Sequence, residues 1–227
     1  MRRFLAAGVV VIAAAALAAV LAGRTERAHR WSVLFVVAEP SPGAYLNPEG
    51  PSQRTPRLDR LTGAGVRLPL AAPELPVDAW LTAVLGGPPP ARSVLRDLIE
   101  DGWVGIGAGR SPGDPAWMDP FEVYTPGLNA RAAVDAILDR LGETVPARAF
   151  VLAVVQPATT EDLESAVGRL IDGAAPFLPP ARTLVVVVDR GMRSAVLVAP
   201  KRPETLEVDG ALGPEDLGAT LAEWLAR

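Results

Sequence analysis

The sequence contains no cysteine and a single histidine, His29, and these absences exclude several kinds of active site. Without cysteine there is no disulfide, thiolate metal ligand or cysteine nucleophile. A catalytic centre built from several histidines is excluded in the same way. All but one of the 22 basic residues are arginine, the exception being Lys201, and the formal net charge is only -4. A mild charge of mixed sign predicts that nucleic acid is not a partner.

The first long apolar run of the chain is Phe4–Gly23, which lies behind Arg2 and Arg3. About twenty apolar residues are enough to span a bilayer as a helix. The alternative is a signal peptide that is cleaved near the small-residue sequence Val20–Ala22. Because the run is long for a signal peptide, we favour an uncleaved membrane anchor.

The boundary of the soluble domain is predicted after residue 30. Residues 1–30 form the membrane anchor or signal segment, and residues 31–227 have the length of one domain with a substantial core. Arginines such as Arg3 and Arg24 flank the apolar run on both sides, so the positive-inside rule gives no strong orientation. Since a signal-like start with a single span usually exports the domain behind it, we expect the domain to be membrane-anchored and extracytoplasmic.

Short runs of apolar, mostly β-branched residues predict strands that are buried on both faces, as in a parallel sheet. The clearest runs are Trp31–Ala38, Phe150–Val155 and Thr183–Val188. Amphipathic segments predict helices at Val77–Leu85, Ser93–Glu100, Asn129–Leu141, Thr159–Ile171 and Pro214–Ala226. This alternation predicts an α/β fold with a mostly parallel sheet and helices on both faces. The Pro-rich stretches Pro69–Pro76 and Pro112–Pro126 are interpreted as loops and as candidate contact surfaces.

Two acidic residues lie at the ends of predicted strands. Glu39 comes directly after the first strand, and Asp189 comes after the valine run in the sequence Asp189-Arg190-Gly191. Ligands of open α/β sheets bind beyond the carboxyl ends of the strands, so these acids are the first candidates for a site. The alternative is that Asp189 only caps a turn.

Four segments, in this order, resemble the sulfatases of the alkaline phosphatase superfamily. They are Ser32–Glu39, Thr55–Leu68, Thr183–Gly191 and Asp216–Leu225. The second is the most specific, because it is similar to the sulfatase segment Thr-Pro-Asn-Leu-Asp-Arg-Leu and to the Gly-Val/Ile-x-Phe behind it. The third is similar to the late sulfatase strand that ends in Ser-Asp-His-Gly or Thr-Asp-Asn-Gly. The resemblance implies the alkaline phosphatase/sulfatase-like core.

The nucleophile that the resemblance implies has no counterpart here. Sulfatases carry it in a Cys/Ser-x-Pro-x-Arg segment, which aligns near Val77–Gly87, where Cys, Ser, Pro and Arg are all missing. The nucleophile position falls on Val77 or Asp78. The hydroxyl of Thr82 is nearby, so Asp78 and Thr82 stay as weak alternative candidates for a role in catalysis.

The metal ligands that the resemblance implies are also depleted. Sulfatases supply paired aspartates after the first strand and Asp followed by His or Asn after the late strand. Here Glu39 stands alone, and Asp189 is followed by Arg190, a permanent cation that repels a metal ion. We predict no metal or other cofactor, and an ion pair of Arg190 with Glu39 or Asp189 in the metal's place. Asp78 and Asp209 are the remaining acids that could supply ligands.

Because of these departures, the resemblance implies a degenerate and truncated relative of the sulfatases. We expect a membrane-anchored pseudoenzyme, a non-catalytic binding or structural subunit that serves another envelope protein or an anionic ligand. The alternative is a divergent metal-dependent hydrolase or transferase acting on sulfate or phosphate esters, with Glu39 and Asp189 as partial metal ligands. A generic α/β binding module unrelated to sulfatases is the third hypothesis. The side chain of Arg190 discriminates between the first two hypotheses by filling or leaving the space beside the acids. A strand order unlike that of the alkaline phosphatase sheet would favour the third.

Overall fold

The computed structural model describes residues 31–39, 56–71, 75–86, 94–110, 118–191, 193–199 and 210–225. No helix within these ranges is both long enough and apolar enough to cross a bilayer. The membrane anchor predicted at residues 4–23 lies outside the described residues, as do Lys201 and Asp209.

The described strands form one sheet of seven. They are β1 (Ser32–Ala38), β2 (Val66–Pro69), β3 (Val104–Gly109), β4 (Val123–Pro126), β5 (Ala149–Val155), β6 (Thr183–Asp189) and β7 (Ser194–Val198). Their order across the sheet is β2-β7-β6-β1-β5-β3-β4. The five strands from β6 to β4 run parallel, and only the pairs β6–β7 and β7–β2 are antiparallel. The prediction of a mostly parallel sheet is therefore confirmed.

Strand β1 occupies the middle of the sheet because both of its faces are apolar. Val33 pairs with Phe150 of β5 on one side and with Leu184 of β6 on the other. All seven residues of β1 are buried. A continuous apolar strand of this kind is stable only when helices cover both faces of the sheet.

Six α-helices lie in the described part of the chain. They are α1 (Pro56–Ala64), α2 (Val77–Leu85), α3 (Val94–Glu100), α4 (Ala130–Thr144), α5 (Thr160–Ala174) and α6 (Pro214–Leu225). A short 3-10 helix, Pro180–Arg182, precedes β6. Helices α1, α4 and α5 contribute to the core on one face of the sheet, and α2, α3 and α6 to the core on the other. This confirms the prediction of helices on both faces.

The starts of α4 and α5 are fixed by side-chain caps. The Asn129 side chain accepts a hydrogen bond from the Ala132 amide at the start of α4. Thr159 and Asp162 form the reciprocal capping box that their spacing predicts at the start of α5. These caps set where both helices begin, at the carboxyl edge of the sheet.

The stretch Pro112–Pro126, interpreted from its sequence as a loop, contains a strand instead. Its last residues form β4, which pairs in parallel with β3 at the edge of the sheet. Tyr124 lies opposite Gly107 of β3, and a Cβ on that glycine would collide with the tyrosine ring. Gly107 therefore makes room for the ring of Tyr124 at this edge of the sheet.

Candidate functional site

The carboxyl ends of β1 and β6 lie side by side and carry the acids noted in the sequence. Ala38 is in register with Asp189. The Arg190 amide donates to the Ala38 carbonyl at 3.2 Å, and the Glu39 amide donates to the Val155 carbonyl at 2.9 Å. These backbone bonds continue the sheet for one residue and hold Glu39 and Arg190 next to each other.

The guanidinium of Arg190 occupies the space beside Glu39. Its Nη1 lies 2.6 Å from Glu39 Oε1, and the two side chains are only 11% and 14% exposed. Its Nη2 donates to the Leu75 carbonyl. Its central carbon lies 5.8 Å from the ring centroid of Trp80, within the range of a cation–π contact. We call Arg190, Glu39, Trp80 and the Leu75 carbonyl the Arg190 cluster.

Helix α2 supplies the wall behind this cluster. Trp80 in its first turns is only 3% exposed and stacks on Phe35 of β1, with ring centroids 6.5 Å apart. The Trp80 amide donates to the Pro76 carbonyl at 2.9 Å, which anchors the beginning of the helix. The arginine therefore lies against a rigid aromatic surface that is part of the core.

Asp189 belongs to the opposite face of the sheet. Val185 and Val187 pack in the core with α1, α4 and α5, and side chains alternate along a strand, so Asp189 points to that face. It is 0% exposed. Arg190, by contrast, packs on the α2 face, together with Glu39. The sequence grouped Glu39 and Asp189 as one remnant ligand set, but strand geometry directs them to different faces.

The weak candidates on α2 have local roles. The Thr82 hydroxyl donates to the Asp78 carbonyl at 2.7 Å, one turn earlier in the same helix. Burial raises the pKa of Tyr124, and the negative charge of Asp78 raises this pKa further. Asp78 thus lies close enough to Tyr124 to act on it electrostatically. None of these contacts activates the Thr82 oxygen as a nucleophile.

The sulfatase resemblance implies a divalent cation, and the described residues at this edge of the sheet do not fit one. Such an ion needs several oxygen ligands that converge on one point. Glu39 is already engaged by a permanent cation at 2.6 Å, and Asp189 belongs to the other face. Within the described ranges, no group of three or more His, Cys, Asp or Glu side chains could hold a metal ion.

The contact between Glu164 and the start of α1 could not be predicted from the sequence. Glu164 of α5 accepts hydrogen bonds from the amides of Arg57 and Leu58 at 2.7 and 2.9 Å, and so caps the start of α1. Arg57 also pairs with Asp172 of α5 at 2.8 Å. Thr55, which directly precedes α1 and is of a residue type that caps helices well, lies outside the described residues. An acidic residue on the outer side of α5 resembles any solvated surface charge, so only the tertiary structure identifies it.

A second polar region lies at the same edge of the sheet, on the face that carries α4 and α5. It is a cleft of about 540 Å³ between the first halves of these helices, and the β5–α5 connection also lines it. Its lining residues are Asn129, Ala130, Arg131, Val134, Gln156, Pro157, Ala158, Asp162, Ser165, Ala166 and Arg169. We call this region the α4–α5 cleft. No pattern in the sequence indicates it.

Comparison with known proteins identifies the fold. No family model and no curated protein matches the sequence. Among solved structures, Ps i-CgsB, determined in complex with k-i-k-neocarrahexaose, superposes with a TM-score of 0.65 at 15% identity, covering 87% of this chain and 72% of that one. A protein of the alkaline phosphatase superfamily from Vibrio parahaemolyticus gives 0.60 at 14% identity, with 87% and 67% covered. The proposed sulfatase yidJ from Bacteroides fragilis gives 0.61 at 13%, with 87% and 74% covered.

These similarities show that the chain has an α/β fold like that of a protein in the alkaline phosphatase superfamily. Within that class, the fold is sulfatase-like, as the segments around β1, α1, β6 and α6 predict. At identities of 13–15% the likeness concerns the fold and not the chemistry of any one relative.

Proposed function

We propose that the protein is a sulfatase-like domain without hydrolase activity, which acts as a non-catalytic binding or structural subunit. The observation that carries this proposal is the Arg190 cluster. At the end of β6, where the sulfatase resemblance implies a neutral metal ligand, a guanidinium is bonded to Glu39 and lies over Trp80. A buried charge with this many partners is costly to displace, because Glu39 would lose its counterion.

The beginning of α2 supports the same proposal. The resemblance aligns the nucleophile with Val77 or Asp78, and Val77 is a buried core residue. The Thr82 hydroxyl is used within the helix by its bond to the Asp78 carbonyl. A nucleophile needs an adjacent base or a metal to activate it, and Thr82 has neither among its described contacts.

The cellular setting is proposed from the sequence. An apolar segment at residues 4–23 would anchor the domain in the membrane, with the domain outside the cytoplasm. In that place a fold without catalysis could bind another envelope protein or an anionic ligand.

The test is to measure metal content and ester hydrolysis on the full chain, purified in detergent. We expect no stoichiometric metal, and no cleavage of 4-nitrophenyl sulfate or 4-nitrophenyl phosphate with Mg²⁺, Ca²⁺, Mn²⁺ or Zn²⁺ added. The alternative, a divergent metal-dependent hydrolase or transferase, would be supported by metal-dependent turnover that Asp189→Ala abolishes, and this result would overturn the proposal.

A matched pair of variants tests the part played by Arg190. Arg190→Asn and Arg193→Asn each remove one positive charge from the same β6–β7 connection, but only the first frees Glu39. Arg193 has a φ of 52°, which asparagine tolerates well. We expect Arg190→Asn to bind Mn²⁺ more tightly than Arg193→Asn does. Equal affinities would mean that Arg190 does not keep a metal from this edge.

A further inference from the structure

The α4–α5 cleft lies across the sheet from the Arg190 cluster, so it is separate from the position of the implied metal. We propose that this cleft binds the oxyanion group, a carboxylate, phosphate or sulfate, of a small polar ligand. The inference rests on the proposed function in one respect, because it gives a binding domain a place for its ligand. The volume of the α4–α5 cleft, about 540 Å³, is within the range of small-molecule sites, roughly 300–1,000 Å³.

The side-chain amide of Asn129 is oriented so that its NH₂ group remains available to a ligand. Its Oδ1 accepts the bond from the Ala132 amide that caps α4, at 2.9 Å. A backbone N–H can only donate, so this bond fixes the oxygen inward along the helix. The NH₂ group, which has no other contact among the described residues, is available to a ligand in the cleft.

The amide of Gln156 is oriented in the same sense. Its Oε1 accepts from Nη1 of Arg110, which lies just beyond β3 at the same edge of the sheet. A guanidinium also can only donate, so the amide nitrogen of Gln156 is again the half that remains. Two amides, oriented by two different donors, thus leave two NH₂ groups in one cleft.

The charges around the cleft favour an anion. Arg131 lines it, is exposed, and makes no hydrogen bond or ion pair within the described part of the chain. Arg169 lines it from α5 and is held by Asp135 at 2.5 Å. Arg110 adds a third positive charge at the rim through its bond to Gln156. An arginine without a partner beside oriented donors is suited to an oxyanion.

The acid among the lining residues is already engaged. Asp162 accepts the bond from the Thr159 amide at 3.0 Å as part of the capping box of α5. One backbone amide at the start of each helix, that of Ala132 in α4 and that of Asp162 in α5, is likewise used by its cap. Among the side chains of the cleft, the free hydrogen-bonding groups are therefore mainly donors, with the hydroxyl of Ser165 able to donate or accept.

The experiment measures binding of inorganic phosphate, sulfate and acetate to the full chain at constant ionic strength. The melting temperature, followed by intrinsic tryptophan fluorescence, rises with ligand concentration if the anion binds the folded state. We expect a saturable rise with at least one of the three anions, and their relative affinities distinguish a carboxylate from a phosphate or sulfate ligand.

Two variants and one control locate the site. Arg131→Ala removes the unpaired cation and is expected to weaken binding about tenfold. Asn129→Asp keeps the oxygen that caps α4 but replaces the NH₂ donor with a negative charge, so binding is expected to fall at least as much without loss of stability. Arg182→Ala removes an exposed arginine at the opposite, amino edge of the sheet and is expected to bind as the unchanged chain does.

The outcomes separate this inference from the proposed function. Absence of saturable binding by all three anions, or equal binding by Arg131→Ala, Asn129→Asp and Arg182→Ala, would overturn the cleft proposal and leave the hydrolysis result untouched. Ester turnover would overturn the proposed function, whatever the anion titration shows. Binding lost selectively in the two cleft variants supports the site.

Discussion

The Arg190 cluster and the α4–α5 cleft lie at the same edge of the sheet, but they differ in whether their arginines have partners within the protein. In the Arg190 cluster the cation is bonded to Glu39, to a backbone carbonyl and to an aromatic face, and both charged side chains are nearly buried. In the cleft the oxygens of both amides are satisfied from within, while Arg131 is left without a partner among the described residues. In the first arrangement the charges are satisfied within the protein, and in the second donors are available for a ligand.

The sharpest test of this contrast is the loss of one partner from each region. Glu39→Ala leaves the guanidinium of Arg190 nearly buried and uncompensated, and should lower the free energy of unfolding by ~3 kcal/mol. Arg131→Ala removes an exposed side chain and should change it by less than ~0.5 kcal/mol. Urea unfolding of both variants measures the difference.

A double variant checks that the first effect is electrostatic. In Glu39→Met/Arg190→Met both charges are absent and the apolar side chain at position 190 can still pack on Trp80, so most of the lost stability should return. If the losses of stability in Glu39→Met and Arg190→Met simply add in the double variant, the two residues do not act as a unit.

Glu164 lies between these two cases in its expected effect on stability. Its carboxylate accepts hydrogen bonds from two backbone amides of the protein itself. Glu164→Ala removes the acceptor of the Arg57 and Leu58 amides at the start of α1 and should cost about 1–2 kcal/mol in urea unfolding. Glu164→Gln keeps one acceptor oxygen and should cost less. Glu161→Ala, on the same helix, is the control, and a loss as large as that of Glu164→Ala would argue against the cap.

The smallest expected effect is a pH dependence of the free energy of unfolding. It comes from Tyr124, on the side of the sheet that carries the Arg190 cluster. The pKa of Tyr124 is raised by burial and by Asp78, so the folded state keeps its proton where the unfolded state loses it. The stabilising contribution is complete below the unfolded pKa, about 10, and declines as the pH rises toward the folded pKa. Relative to Tyr124→Phe, the chain should lose about 1 kcal/mol between pH 9 and pH 10.5. Parallel pH profiles of the two proteins would show that Tyr124 titrates normally.

Much of the fold can be predicted because the apolar patterns are strong. The runs at β1, β5 and β6 and the stripes on α4 and α5 identify buried strands and amphipathic helices without any tertiary information. Strand β4 was missed because Val123–Pro126 is short and ends in proline, so its pairing with β3 is decided by packing around Tyr124 and Gly107.

The site is less accessible from the sequence, for geometric reasons. The sequence shows that a cation comes directly after Asp189. It does not show that this cation pairs with Glu39, because the pairing depends on which face of the sheet each side chain lies on where the strands end. The cleft depends on the orientation of Asn129 and Gln156, which is set by donors elsewhere in the fold. Glu164 reaches α1 across a separation of more than a hundred residues, which no local pattern reports.

The central place of β1 has a consequence for the order of synthesis. This strand leaves the ribosome before its partners β5 and β6, which lie more than a hundred residues later in the chain. Until they emerge, Val33–Val37 is an apolar, β-prone segment with both edges unpaired, and such segments are prone to aggregate. The nascent chain should therefore be protected by a chaperone or holding factor until residue 189 has left the ribosome.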